Sequence, residues 1–363
     1  QTSTLSTCPH TVSVSYGGDA DNFSSTSAGL TQTVNIASTT TALAASANPA
    51  IAGKSVTFTA TVTANSGKAA GTVHFYNGAT LLGSGTLNGA GVASYSTASL
   101  AVGTYSITAA YQGNSNDSAS TSAALPFSVI QATTAVQLIS NRPSVVVTNP
   151  VTFTATVTGN GATPTGTVTF KDGANTLGSM ALNGSGVAAF TTSSLAVGQH
   201  NITASYSGDA KDGAITSAVL VETVTAYATQ TNLATSATSL TTDQQLTLLT
   251  TTVSTSGRAV TGTITFMNGT ATLGTATVGA NGTGALSINP DSGTYTITAH
   301  YSGDAINAPS VSNPVTVNVS QATEFTIALN PTSVSIPTSQ SKLISISLAS
   351  ENGFTDTMAL GCG

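Results

Sequence analysis

The residues of this chain whose type and spacing point to chemistry fall in four turns. Asp19 and Asp21, Asn114 and Asp117, Asp209 and Asp212, and Asp304 and Asn307 each follow an apolar-alternating run that ends in Tyr-x-Gly. Carboxylates gathered in a loop are ligands for calcium, which takes six to eight oxygens. A Gly-Asp turn, in which Asx side chains bond their own backbone, uses the same residues. One or two carboxylates per turn favour the turn; calcium held by Asp19, Asp21, Asp117, Asp209, Asp212 and Asp304 is the competing expectation. Two cysteines, Cys8 and Cys362, are too few for a disulfide scaffold or a structural zinc site. His10 and His200 stand where Tyr105 and Tyr295 stand, so they read as packing substitutes. With His74 and His300 they make no pair close enough to hold a metal. No Gly-x-Ser-x-Gly elbow sits at a strand-to-helix turn, and no glycine-rich loop ends in Lys-Ser/Thr. No catalytic and no cofactor-binding residue is expected. The five lysines repeat at no strand position, so a Lys–Asn cross-link in every domain is not supported, and the Asn-x-Ser/Thr sequons are the chance yield of Thr-rich sequence.

The elements that carry these turns repeat. Gly103-Thr-Tyr-Ser-Ile-Thr-Ala-Ala-Tyr111 returns as Gly198 to Tyr206, as Gly293 to Tyr301 and, in a fourth copy, as Cys8 to Tyr16. Tyr16, Tyr111, Tyr206 and Tyr301 lie 95 residues apart, which divides the chain into units 37–131, 132–226 and 227–321 with partial units 1–36 and 322–363. Val56, Phe58, Ala60 and Val62 alternate with Thr, the period of a strand with one buried face. Asn77-Gly78, Asp172-Gly173, Asn268-Gly269, Asn88-Gly89, Asn183-Gly184 and Asn281-Gly282 fall between such runs and suit the positive φ angles of hairpin turns. About seven short strands per unit of this length is the arithmetic of an immunoglobulin-like sandwich. The fold class is therefore all-β: tandem sandwiches in an extended string, with incomplete halves at both ends. Composition narrows the partners. The 363 residues include only 20 charged ones, 7 basic and 13 acidic, while Ser and Thr make up about a third. Seven basic residues at net charge −6 exclude a phosphate-neutralising nucleic-acid surface and disfavour an anionic membrane. No run of 18 apolar residues exists to span a bilayer. With 5% aromatics and no Trp, a carbohydrate-stacking platform is a weak alternative.

At Gly71 to Gly78 and Gly166 to Gly173 (Gly-Thr-Val-x-Phe-x-x-Gly), and at Leu100 to Tyr111, the chain resembles the bacterial Ig-like repeats, group 3 type, found in tandem on secreted and surface proteins. The resemblance implies an extracellular, cell-surface stalk, adhesin or spacer, and carries no catalytic residue. From Ala322 onward the sequence resembles a different bacterial Ig-like type.

The chain starts at Gln1 without a leader pattern and reads as a processed or excised piece. Residues 1–36 match the last third of a unit and 322–363 its first part; alone, each leaves an apolar strand face and open edges in water. The 95-residue shift puts Cys8 at the start of the sixth strand and Cys362 at the end of the third, neighbours in an Ig-like sheet. The expectation is a filament subunit whose partner is another copy of itself, completed head to tail with a Cys8–Cys362 bond across the joint. About 18 residues of a normal unit are missing from such a joint domain, which calls for a smaller sheet. The alternative is an excerpt of a longer adhesin or spacer stalk, with a binding or catalytic domain elsewhere.

Overall fold

The computed structural model describes residues 5–330 and 332–351, and the strands below lie there. In the first complete unit, Thr39–Ala45, Val56–Ala64 and Val92–Thr97 form a three-stranded sheet with Val56–Ala64 in the middle. Facing it is a second sheet in the order Ala50–Ile51, Leu125–Ile130, Gly103–Tyr111, Thr72–Asn77 and Thr80–Thr86, with Ser120–Thr121 added on Gly103–Tyr111. All pairings between these strands are antiparallel except Ala50–Ile51 against Leu125–Ile130, which is parallel. The same strand order recurs in the second and third units. The described residues contain no helix, so none is long and apolar enough to cross a membrane.

The alternation in sequence becomes the two faces of each sheet. Val56, Phe58, Ala60 and Val62 are buried, and the intervening threonines are not. Thr is β-branched and favours extended backbone, so it holds the strand while keeping the outer face wettable. Phe58 meets Phe127 edge-on at 5.0 Å between ring centroids, joining the two sheets. Each such buried ring contributes roughly 1.5–3 kcal/mol of transfer free energy. The inward face is not uniform among units. In the third, Leu246 and Leu248 give way along the same strand to buried Thr250 and Thr252. Their hydroxyls are satisfied: Thr250 donates to the Gly284 carbonyl at 3.0 Å, and Thr252 lies 3.0 Å from the Thr231 hydroxyl.

The hairpins differ from expectation in one detail. In Asn77-Gly78, Asp172-Gly173 and Asn268-Gly269 only the glycine has positive φ, at 56°, 55° and 61°. The preceding Asx ends its strand, and its Oδ1 accepts the N–H of Ser106, Asn201 or Thr296 on the neighbouring strand, at 3.1, 3.1 and 2.9 Å. In the second set of hairpins the positive φ falls on Gly91 and Gly186 rather than Gly89 and Gly184. There Asn88 and Asn183 fold their Oδ1 over two later N–H groups, and the left-handed residue is needed only afterwards, to bring the chain back to the strand.

The flanking pieces are smaller. Pro9–Val12 pairs with Leu30–Thr33, and Ser15–Tyr16 with Ser25–Thr26. Glu324–Asn330 pairs with Ser345–Glu351. Both pieces expose large apolar side chains, among them Val14, Phe23 and Leu30 in one and Ile327, Leu343 and Leu348 in the other. Cys362 lies outside the described residues.

Candidate functional site

The Tyr-x-Gly turn is built from the strand that precedes it. Tyr111, Tyr206 and Tyr301 end their strands with the ring in the core and the hydroxyl donating, at 2.7 Å in each case, to the carbonyl of Ala70, Thr165 or Thr261. Gly113, Gly208 and Gly303 then turn the backbone at φ of 74°, 74° and 76°, a conformation that favours glycine. The next residue is the Asx. Its Oδ1 accepts the two N–H groups two and three residues on: Asn116 and Asp117 on Asn114, Lys211 and Asp212 on Asp209, Ile306 and Asn307 on Asp304. Asp19 does the same with Asp21 and Asn22. The remaining oxygens are also used. Asp209 Oδ2 takes the N–H and hydroxyl of Thr165, and Asp304 Oδ2 takes those of Thr261, the Tyr301 hydroxyl and the Asn307 amide. Asp19 Oδ2 accepts the Tyr16 hydroxyl.

These contacts set the charges. Burial pushes the Asp209 carboxyl up, but donors from Thr165, Lys211 and Asp212 outweigh it and bring it to about 2. Asp304 falls below the usual carboxylate range for the same reasons, with Asn307 the leading donor against burial. Asp19, held chiefly by the Tyr16 hydroxyl, lies at about 2. The tyrosines move the other way: burial, then the adjacent carboxylates, raises Tyr206 and Tyr301 to about 12, so both phenols stay neutral donors.

The turn also fastens the start of its own sandwich. Ala37 N–H donates to Asn116 O, and Ser118 N–H to Ala37 O. Ala132 is held the same way by Lys211 and Gly213, and Tyr227 by Ile306 and Ala308. Each clamp forms an isolated parallel bridge: Ala37 with Asp117, Ala132 with Asp212, Tyr227 with Asn307. The acidic turns of the three complete units are thus clamps on the residue where the chain enters a unit. Three expected calcium ligands, Asp19, Asp209 and Asp304, direct their oxygens to N–H and O–H donors. Asp117 is buried and accepts the Asn114 amide at 2.9 Å, while Asp21 contributes its N–H to the fold of its turn. Asp212 differs. It is 1% exposed, and neither carboxylate oxygen receives a hydrogen bond.

The histidines stand in for tyrosine by function as well as by place. Tyr105 and Tyr295 donate their hydroxyls to the carbonyl four residues back, Ala101 and Asp291. His200 Nε2 lies 2.8 Å from Ala196 O and His10 Nε2 2.6 Å from Ser6 O, and since a carbonyl only accepts, each Nε2 carries the hydrogen. Cys8 is exposed, with its sulfur 3.3 Å from His10 Nε2. Gly103, whose place Cys8 takes, pairs with Val129, and the strand on its other side, Thr72–Asn77, ends opposite Ile107. Among the described residues no group of three or more His, Cys, Asp or Glu is placed to hold a metal. One buried acid escapes sequence reasoning: Glu222, in Leu220–Thr225, is 1% exposed at the position that Phe127 and Val317 fill in the sister units. The 95-residue alignment marks it as a charged residue in a core column, which is the signal that finds it.

Repeated clamps on antiparallel two-sheet sandwiches define a tandem immunoglobulin-like protein. The chain belongs to the bacterial Ig-like domain (group 3) family, whose model matches residues 43–130, 138–225 and 233–320. Among solved structures it is similar to the Escherichia coli adhesin FdeC, at 15% identity over 77% of this chain and 96% of that one, with a TM-score of 0.30. Invasin, a bacterial integrin-binding protein, is 15% identical over 80% of this chain and 61% of its own, with a TM-score of 0.36. The three N-terminal domains of the outer capsid protein Hoc of bacteriophage RB49 are 13% identical over 78% of this chain and 99% of theirs, at 0.27. No functional property follows from likeness of this degree. A search of curated proteins finds no match.

Proposed function

We propose that the chain is a structural part of an extracellular filament or surface stalk, in which the C-terminal piece of one copy is completed by the N-terminal piece of the next. In this reading it does no chemistry of its own and its task is to bear length and load outside the cell. The observation that carries it is the flanking pieces themselves, built only of two-stranded ladders and leaving large apolar side chains exposed on both. Val14, Phe23 and Leu30 on one side and Ile327, Leu343 and Leu348 on the other are the kind of surface that strand addition between chains covers. Exposed Cys8 is available to a Cys362 of a second copy, which would make the joint covalent. The second reading, a spacer within a longer adhesin, has the neighbouring parts of one continuous chain complete both pieces. It is favoured by the change of sequence type at Ala322, which does not match the unit that residues 1–36 come from.

Electrophoresis of the purified chain without reductant separates the two. A ladder of multimers that thiol collapses, and that Cys8→Ser abolishes, is expected for the filament. Monomer with or without thiol, together with a monomeric mass in solution, overturns the filament and leaves the spacer.

A further inference from the structure

The Asp209–Asp212 turn breaks a rule kept by its two sisters. In the first unit Asn114 Nδ2 donates to Asp117 Oδ2 at 2.9 Å, and in the third Asn307 Nδ2 donates to Asp304 Oδ2 at 3.0 Å. Each turn thus pairs one amide with one carboxylate, so that a hydrogen lies between the two side chains. The second unit has a carboxylate at both positions. Asp209 is committed to four donors from Thr165, Lys211 and Asp212. Asp212 is 1% exposed, with no N–H or O–H directed at either oxygen. A buried carboxylate without donors, facing another carboxylate, is among the costliest arrangements in a protein interior. The hydrogen that an amide supplies elsewhere has to come from somewhere.

We propose that Asp212 carries a proton and donates it to Asp209, so that the entry clamp of the second unit is latched by one shared proton. A cation in the same place is disfavoured because both Asp212 oxygens are closed to solvent and the Asp209 oxygens are already taken by four N–H and O–H donors, which leaves few of the six or more oxygens a calcium shell needs. Burial first, and the Asp209 charge second, raise the Asp212 carboxyl above its ordinary range, in keeping with that geometry. The other titratable groups near the pair are few. Lys211 lies between the two acids in sequence, its stem 3.6 Å from a Cβ built on Gly53, with Lys54 next to it in the chain. Tyr206 points its hydroxyl at Thr165 O. Residues 134–140, 151–166 and 187–191 carry no ionisable side chain, and Lys171 and Asp172 pair with Thr203 and Ile202, away from the Tyr206 end of the strand. Ala132, the first residue of the unit, is bonded by backbone to Lys211 and Gly213 on both sides of Asp212. Loss of the proton puts two negative charges under that clamp and loosens it; the sister clamps contain no second carboxylate to ionise this way. The sign follows from linkage: the folded turn holds a proton that an unfolded aspartate releases at about 3.9, so the clamp weakens as pH rises from there to the folded value and is flat beyond it.

Amide hydrogen exchange on the full chain tests this, with peptides over 128–135 and 207–215 followed from pH 5 to 9 and corrected for the intrinsic rate. In the parent, protection of these peptides is expected to fall with rising pH, by a factor of about ten for each pKa unit by which the folded carboxyl exceeds the unfolded one. Asp212→Asn, which restores the sister pairing, is expected to remove the pH dependence and to be the more protected protein at pH 8. The 302–309 peptide of the third unit serves as a flat control. The carboxyl carbon resonance of Asp212 in the parent, which needs no variant, is expected to report a protonated acid at pH values where the other aspartates are ionised. An Asp212 resonance that titrates with ordinary aspartates, or a parent whose 207–215 protection tracks the control, overturns the proposal. So does protection at pH 8 that added calcium chloride raises in the parent and not in Asp212→Asn, which would make the pair a cation site.

Discussion

Thr165 shows how much of each clamp rests on single donors. Its hydroxyl and N–H both reach Asp209 Oδ2, and its carbonyl accepts the Tyr206 hydroxyl, so one residue joins the tyrosine to the turn. Thr165→Val deletes the hydroxyl while keeping the shape, and is expected to lower the stability of the second unit by about 1.5–3 kcal/mol, the range for a hydrogen bond to a charged group. Asp209 has a folded value, about 2, below its unfolded one, so its contribution is present above roughly pH 4 and is lost as pH falls toward 2. Thr165→Val should therefore shift acid unfolding of this unit to higher pH, which circular dichroism against pH reads directly. A variant that unfolds at the parent's pH would show that Asp209 does not depend on this donor. The residues of the clamp were visible in sequence as a 95-residue column of Tyr-x-Gly-Asx, and the Asx-turn reading followed from residue type. What sequence could not supply was the target of each tyrosine hydroxyl, some 40 residues back in the chain, or the burial of Asp212. Both depend on which loop the sheet brings beside the turn.

Strands were the most legible elements, because alternating Val, Phe and Ala against Thr leaves one possible buried face. Turns were less so. Two glycines lie within three residues in Asn88-Gly89-Ala90-Gly91, and only the hydrogen bonds of Asn88 decide that Gly91 takes the left-handed conformation. Gly178 illustrates a constraint that no local pattern carries. It pairs with Phe170 where the register to Thr167–Asp172 slips by a bulge, and a Cβ on it would lie 2.6 Å from the Phe190 ring, which stacks on Phe170 at 5.7 Å. Gly83 meets Tyr95 in the same way in the first unit. Gly178→Val is expected to displace Phe190 and destabilise the second unit by about 1–3 kcal/mol, the usual cost of overpacking. Differential scanning calorimetry should show one transition moving while the others hold; a thermogram unchanged by the substitution would mean that the ring has room to swing away.

At the scale of the molecule, sparse charge was the first thing the composition gave, and the fold assigns it a place: the outward positions of the strands are filled by Thr and Ser. The edge strands of the first unit, Thr39–Ala45, Val92–Thr97 and Thr80–Thr86, hold no charged residue and so have little to repel another strand, in keeping with the filament proposed above. The three family matches lie 95 residues apart in start and end, so each unit is expected to unfold separately under tension. Pulling the chain by its ends in a force spectrometer should give three length increments of up to about 310–340 Å, the span of 95 extended residues, less the folded end-to-end distance. A single larger increment would mean that the units share one cooperative core. The parallel pairing of Ala50–Ile51 with Leu125–Ile130, and the matching pairs Ser144–Val146 with Thr223–Thr225 and Ser239–Thr241 with Asn318–Ser320, then gain a mechanical meaning. A strand near the start and the last strand of a unit lie side by side and run the same way, so tension on the two ends slides them past one another and loads their hydrogen bonds together in shear. Each unit is therefore expected to act as a fuse, holding until those bonds fail at once and then releasing slack instead of parting the line.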